Sequence, residues 1–142
     1  MNLERAIQIA VAAHSGVIDK GGNPYILHPL RVMFALKTDE EKIVGVLHDV
    51  VEDAPDWDFT RLEDEGFSAD IIEGLKSVTK ITEDEDYNEF IKRCLKNKLG
   101  RAVKIADIRD NLDVNRIEIL TEKDLNRLNK YKRSLKVLLD QE

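Results

Sequence analysis

Apolar residues recur at intervals of three and four positions along most of this chain, which is the repeat of one face of an α-helix. The first example runs from Leu3 through Ile7 to Ala13, and no segment shows the apolar/polar alternation of a half-buried β-strand. At 142 residues, 42% of them hydrophobic, the chain has the size of one domain with one core. We therefore predict a single all-α domain over residues 1–142, a bundle of about six to eight helices.

Residues that favour helix ends divide this pattern into elements. Gly16 should end the first helix, and Pro29 suits the first turn of the second. Thr38–Glu41 has capping-box spacing, so it should start a helix that continues through the segment LHDVVED. A further cap is predicted at Thr82–Glu85, before a helix over Tyr87–Lys98. The other helices are expected at residues 59–65, 69–78, 99–112 and 121–139.

Charge and composition argue against several classes of function. The net charge is −6 and the isoelectric point is about 5.2, which disfavours broad electrostatic binding to DNA or RNA. No apolar run approaches the roughly 18 residues of a membrane span, and the N-terminus has no signal-peptide layout. The single cysteine, Cys94, cannot form an internal disulfide and suits a reducing compartment. We expect a cytoplasmic protein with no nucleic-acid or membrane partner; the sequence leaves the oligomeric state open.

Four ionisable side chains interrupt the most apolar stretch of the chain, in LHDVVED at residues 47–53. His48 and Glu52 are four residues apart, as are Asp49 and Asp53, so each pair would share a helix face. Burying the acids without compensation costs several kcal/mol or raises their pKa values. A divalent cation would remove that cost, because it accepts imidazole and carboxylate ligands together. The alternative is an exposed acidic face beside a histidine whose hydrogen bonds are satisfied.

Two further positions favour a metal site. His28 stands at the start of a predicted helix after a tight loop, although a lone histidine there is more often a surface or core residue. Asp107 lies among apolar residues, where an unpaired carboxylate is rare, and Asp110 and Asn111 follow on the same helix face. Together with His48 and Asp49 of LHDVVED, the side chains of His28 and Asp107 make a set of two imidazoles and two carboxylates on three helices. This set suits Mn²⁺, Fe²⁺, Co²⁺ or Zn²⁺, with positions left for water and a substrate oxygen.

Three segments together resemble the HD-domain phosphohydrolases, in particular the hydrolase domain of the RelA/SpoT-type alarmone enzymes and the small stand-alone alarmone hydrolases. They are PYILHP at 24–29, LHDVVED at 47–53 and VKIADIRDNL at 103–112. The resemblance extends from about Ala10 to Asn111. It implies an all-α HD fold with one bound metal ion, usually Mn²⁺, and removal of the 3′-pyrophosphate from guanosine 3′,5′-bispyrophosphate (ppGpp). In that pattern the four metal ligands are His28, His48, Asp49 and Asp107.

The resemblance also implies roles for residues around the metal. It places Glu52 and Asp53 near the attacking water, where one carboxylate of the pair can take a proton. Lys20 matches a basic residue that can neutralise phosphate charge, although an ordinary solvated lysine is the alternative. Asn111 matches an asparagine that borders the nucleotide site, and Tyr25 is a candidate for the pocket wall or for packing alone. The weaker candidates are Arg31, otherwise a surface residue, and Lys104, otherwise an anchor of the helix that carries Asp107.

Some residues depart from the family pattern. Val17 replaces a glutamine, and Asp19 stands where an arginine is expected, so this acid disfavours a highly phosphorylated guanosine. Asp113 and Val114 follow Asn111 where a basic residue and a threonine are more common. The leading prediction is a metal-dependent nucleotide (pyro)phosphohydrolase acting on ppGpp. The alternatives are an HD phosphohydrolase for another nucleotide or phosphate ester, and a non-catalytic nucleotide-sensing module.

Overall fold

The computed structural model describes residues 1–140, in which the regular structure is helical. Nine helices follow one another in this part of the chain: α1 (Leu3–Ala13), α2 (Leu27–Phe34), α3 (Asp39–Leu47), α4 (Val50–Asp53), α5 (Phe59–Asp64), α6 (Ala69–Ser77), α7 (Tyr87–Lys96), α8 (Lys98–Asn111) and α9 (Glu122–Leu139). A single isolated β-bridge, between Ile18 and Pro24, closes the loop after α1. None of these nine helices is long and apolar enough to cross a membrane. The all-α prediction is confirmed. The sequence predicted at most eight helices, and this number matches when α3 and α4, which were predicted as one helix, are counted together.

Polar side chains cap the N-termini of the described helices except α2 and α4, which have no side-chain cap hydrogen bond. Thr38 accepts a hydrogen bond from the Glu41 amide and Glu41 accepts one from the Thr38 amide, so the predicted capping box is present at α3. The cap predicted at Thr82–Glu85 is wrong. The side chain of Asp86 accepts the amide hydrogen of Glu89 and begins α7 instead, because Asp is as good an N-cap as Thr and lies directly before the apolar repeat.

Helix α3 carries the LHD sequence into the interior, where it packs against α1, α2, α6 and α8. Val44, Val46 and Leu47 on this helix are completely buried. Helices α6 and α8 come very close at Gly100, where a Cβ atom would lie 1.9 Å from Ser77 Oγ. This close packing brings α8 beside the C-terminal end of α3.

The predicted helix through LHDVVED is broken at His48 and Asp49, so that prediction is wrong in part. In a continuous helix the carbonyl of Gly45 would accept the amide hydrogen of Asp49. Here Nδ1 of the His48 ring donates to that carbonyl at 2.6 Å. The ring therefore competes with the backbone for Gly45 O, and α3 ends one residue before the histidine.

Candidate metal centre and active site

The four predicted metal ligands come together from three parts of the fold. His28 lies in the first turn of α2, His48 and Asp49 lie at the α3–α4 break, and Asp107 lies in α8. One nitrogen of each histidine and one oxygen of Asp49 lie within 4.8 Å of one another. Asp107 Oδ1 lies 2.9 Å from His28 Nε2 and 3.4 Å from His48 Nε2. The proximity expected from the sequence is therefore present.

Both imidazoles are held so that Nε2 faces the carboxylates. Nδ1 of His48 donates to Gly45 O, and Nδ1 of His28 lies 2.6 Å from Asp110 Oδ2, to which it donates. Nε2 of His48 is buried and has no hydrogen-bond partner among residues 1–140. This nitrogen lies 3.1 Å from Asp49 Oδ2, and with Nδ1 already bonded it is the ring atom that can bind a metal ion.

Asp110 is a positioning residue that the sequence indicated only as a face neighbour of Asp107. Its carboxylate accepts two hydrogen bonds from Arg31, at 2.7 and 3.1 Å. Arg116 lies 3.5 Å from the same carboxylate and donates to the Asp110 carbonyl. These contacts fix the oxygen that orients the His28 ring, so Arg31 acts within the site rather than as a free surface residue.

A buried lysine balances Asp107. Lys104 Nζ lies 2.9 Å from Asp107 Oδ2, and Asn111 Nδ2 donates to Asp107 Oδ1 at 3.1 Å. Burial would raise the pKa of Asp107, but Lys104 and His48 hold it well below its usual range. Lys104 therefore favours the ionised form of Asp107 and holds its carboxylate in place.

The carboxylates around His28 and His48 favour positive charge on both imidazoles. Burial alone would lower the pKa of His28, but hydrogen bonds with Asp107 and Asp110 raise it. The pKa of His48 is also raised, because Asp49 and Asp107 outweigh the effect of burial. A divalent cation between the Nε2 atoms and the carboxylates would supply this charge in place of the protons. The donor set of two imidazoles and two carboxylates suits such an ion.

Tyr25 contacts the centre directly. Its hydroxyl donates to Asp49 Oδ2, and its ring lies 5.0 Å from the ring of buried His14. Tyr25 thus holds a candidate ligand in place, a role beyond the pocket wall expected from the sequence.

Glu52 and Asp53 lie on the exposed side of the centre. Glu52 Oε1 accepts a hydrogen bond from the backbone amide of Lys80 at 2.7 Å. Glu52 also lines a cavity together with three of the four candidate ligands, His28, Asp49 and Asp107. We call this cavity of about 300 Å³ the central cleft. Partial burial and the charges of Asp49 and Glu52 raise the pKa of Asp53 to about 6. A carboxyl group with this pKa can hold or release a proton near neutral pH.

The predicted substrate-binding residues border a second cavity of about 330 Å³, which we call the side cavity. Lys20, Tyr25 and Asn111 all line it, and Tyr25 and Asn111 line the central cleft as well. Asp19 also lines the side cavity, but its Oδ1 accepts the amide hydrogens of the glycine and asparagine at positions 21 and 23. The acid that departs from the family pattern therefore stabilises its own loop.

Several lining residues were not predicted from the sequence. Arg127 and Tyr131 of α9 line the side cavity, and Tyr131 and Lys130 line the central cleft. Their spacing of three and four residues shows that they share a helix face. It does not show which cavity that face meets, because α9 reaches the site only through tertiary packing on α7 and α8.

Comparison with known proteins places this geometry among relatives. The chain is 37% identical over 86 residues to the putative chloroplastic GTP diphosphokinase RSH1 of Arabidopsis thaliana, which is 56% of this chain and 10% of that protein. It is 30% identical over 116 residues to a guanosine-3′,5′-bis(diphosphate) 3′-pyrophosphohydrolase of Haemophilus influenzae, which is 73% of this chain and 17% of that protein. The bifunctional (p)ppGpp synthase/hydrolase SpoT of Escherichia coli is 28% identical over 123 residues, 78% of this chain and 17% of that protein. The chain thus spans 10 to 17% of these relatives' length.

The fold has a close counterpart among solved structures. A metazoan ortholog of SpoT that hydrolyzes ppGpp superposes with a TM-score of 0.80 at 22% sequence identity. The match covers 97% of this chain and 85% of that one. No protein-family model matches the chain. The chain is thus similar in sequence to part of several RelA/SpoT-type proteins and has the helical fold of a solved SpoT ortholog.

Proposed function

We propose that this chain is a divalent-metal-dependent phosphohydrolase that removes the 3′-pyrophosphate of ppGpp. The observation that carries the proposal is the pair of imidazoles whose Nε2 atoms face Asp49 and Asp107. Their Nδ1 atoms are engaged by Gly45 and Asp110. The choice of substrate is supported by relatives named as guanosine-3′,5′-bis(diphosphate) 3′-pyrophosphohydrolases.

The metal would be held by His28, His48, Asp49 and Asp107, and Mn²⁺ is the ion we expect. When bound, such a cation lowers the pKa of water and neutralises charge on phosphoryl oxygens. The protein supplies the rest of the chemistry through the neighbouring acids. Glu52 faces the cleft and can accept a proton from the attacking water, and Asp53 can hold that proton near neutral pH. Paired acids share a proton, so the acid–base role belongs to both together.

Substrate binding would use the side cavity. Lys20 offers an ammonium group to phosphate oxygens, and its side chain is 61% exposed while lying 3.7 Å from Asp124. Tyr25 and Asn111 form the boundary between the side cavity and the central cleft. A nucleoside in the side cavity would therefore place its phosphorylated hydroxyl beside the metal centre.

One observation favours a second candidate function, hydrolysis of a less highly phosphorylated nucleotide. Asp19 and Asp113 both line the side cavity, and carboxylates there repel additional phosphate groups. The same chemical centre would then act on another phosphate ester.

Incubation of Mn²⁺-loaded protein with ppGpp and a panel of nucleotides tests these proposals. We expect GDP and pyrophosphate from ppGpp, loss of the reaction in EDTA, and no product from Asp49→Asn. Faster release of orthophosphate from a monophosphate ester would support the second candidate. Tight ppGpp binding without product would instead identify a sensing module and reject the enzymatic proposal.

A further inference from the structure

The central cleft shares lining residues with two other recesses of the molecule. It shares Tyr87 and Lys130 with a groove between α7 and α9 that has a volume of about 590 Å³. It shares Tyr25, His28, Asn111 and Tyr131 with the side cavity. Among residues 1–140, none lines both the groove and the side cavity. The central cleft, which three of the candidate ligands line, therefore adjoins two recesses that share no described lining residue.

Lys130 stands at the mouth of the groove without a counter-ion. Its Nζ lies 4.3 Å from the centroid of the Tyr87 ring, a cation–π contact that holds the ammonium at this position. Within residues 1–140, Lys130 makes no salt bridge. Burial and the charges of Lys80, Lys104 and Arg127 lower its pKa. No carboxylate of residues 1–140 forms a salt bridge with this partly buried ammonium, so an anion bound in the cleft would supply its counter-charge.

A second lysine faces the same space. Lys80 lines the central cleft together with Lys130, and its backbone amide is fixed by Glu52. Its loop is further held by Arg93, which donates to the carbonyls of Lys76 and Thr79. Lys104, in contrast, is already paired with Asp107. Lys80 and Lys130 are thus the cations of this cleft that remain available to a ligand.

We propose that Lys130, assisted by Lys80, binds the terminal phosphoryl group of the substrate's pyrophosphate and so selects pyrophosphate esters over monophosphate esters. The proposal rests on the proposed function, which puts the nucleoside in the side cavity and the reacting phosphorus at the metal centre. In that reaction the water oxygen bonds to the phosphorus attached to the sugar. The bond from phosphorus to the 3′ oxygen breaks, its electron pair stays on that oxygen, and the oxygen takes up a proton. The terminal phosphoryl group points away from the sugar, toward Lys130.

Binding of inorganic pyrophosphate and orthophosphate tests this subsite without turnover. Calorimetry at fixed free Mn²⁺ would compare the wild type with Lys130→Gln and with Lys132→Gln. Lys132 is the matched control, because it is exposed on the same helix and lines neither cavity nor groove. We expect Lys130→Gln to weaken pyrophosphate binding about tenfold or more, the usual effect of losing a hydrogen bond to a charged group. Orthophosphate has no terminal phosphoryl group to reach Lys130, so its affinity should change less than about threefold. Lys132→Gln should bind both anions with the affinities of the wild type.

Three results would overturn the subsite: equal pyrophosphate affinity in Lys130→Gln and wild type, an equal loss for both anions, or an equal effect of Lys132→Gln. Thermal melts of each variant show that the fold is retained. If wild-type protein releases no pyrophosphate from ppGpp, the proposed function fails, while the anion affinities still decide the subsite. If ppGpp is hydrolysed but Lys130→Gln still prefers pyrophosphate over orthophosphate as the wild type does, only the proposed subsite is rejected.

Discussion

Replacing Asp107 by Asn should destabilise the fold even when no metal is bound. The substitution keeps the size of the side chain but removes its charge. Lys104 Nζ lies 2.9 Å from Asp107 Oδ2, and the side chains of the lysine and aspartate are only 12% and 8% exposed. The substitution would therefore leave a buried ammonium with the Phe90 ring, 4.8 Å away, and without its carboxylate.

The magnitude follows from the burial of this pair. Removing one partner of a buried ion pair typically costs about 3–5 kcal/mol, because the remaining charge stays desolvated and unpaired. For a domain of this length, the loss corresponds to a decrease in melting temperature of roughly 10–20 °C. Replacing both partners with uncharged groups is far less costly. Lys104→Met in the Asp107→Asn background should therefore recover most of the lost free energy of unfolding.

Urea unfolding of the wild type, both single variants and the double variant, all in EDTA, measures this coupling. Added Mn²⁺ should then stabilise the wild type by about 2.7 kcal/mol at a free concentration of 100 times Kd and leave Asp107→Asn almost unchanged. The explanation is refuted if Asp107→Asn loses less than about 1 kcal/mol in EDTA, or if the double variant is as unstable as the sum of the single ones. Equal stabilisation of both proteins by Mn²⁺ would separately reject Asp107 as a ligand.

Three other perturbations have defined outcomes. Glu52→Gln should lower turnover by roughly 10²–10⁴ while metal affinity by calorimetry changes only a few fold; loss of the metal would make Glu52 a ligand or a support. Gly100→Ala should cost about 1–3 kcal/mol in urea unfolding, because its Cβ would lie 1.9 Å from Ser77 Oγ, and Ser77→Gly should restore stability. Hydrogen bonds from the amide and hydroxyl of Thr121 lower the pKa of Asp124 to about 2. The ionised Asp124 therefore stabilises the folded state fully above its unfolded pKa of about 3.9, and this stabilisation is lost as the pH falls toward 2. Asp124→Asn should accordingly make the free energy of unfolding less dependent on pH between these values.

The features that the sequence predicted well are local or repeat at helical spacing. The capping box of Thr38 and Glu41 depends on residues three positions apart, so its contacts can be read directly from the sequence. The proximity of His28 to Asp107 was predicted by a different route. It rested on the chemical cost of burying a carboxylate and on the resemblance to a family, since 79 residues separate the two side chains. Their roles as metal ligands stay a prediction.

The features that were missed depend on tertiary packing. Asp110 was recognised as a neighbour of Asp107, but its hydrogen bond to His28 and its ion pair with Arg31 join residues about 80 positions apart. Lys130 gave no signal at all, because an unpaired lysine on a polar helix is ordinary in sequence. It becomes informative only when α9 packs against α7 and the ammonium enters a cleft with other cations.

Gly45 shows why two adjacent residues, His48 and Asp49, can serve one centre. Adjacent side chains on a regular helix point about 100° apart, so an unbroken helix would direct them to different neighbours. The ring of His48 takes the Gly45 carbonyl, and this contact both fixes the ring tautomer and interrupts the helix before Asp49. The same glycine leaves room for the side chain of Leu36, which follows α2, since a Cβ there would lie 2.5 Å from Leu36 Cδ1. The backbone carbonyl at this position therefore orients His48 and ends the helix before Asp49, so that both side chains can face one centre.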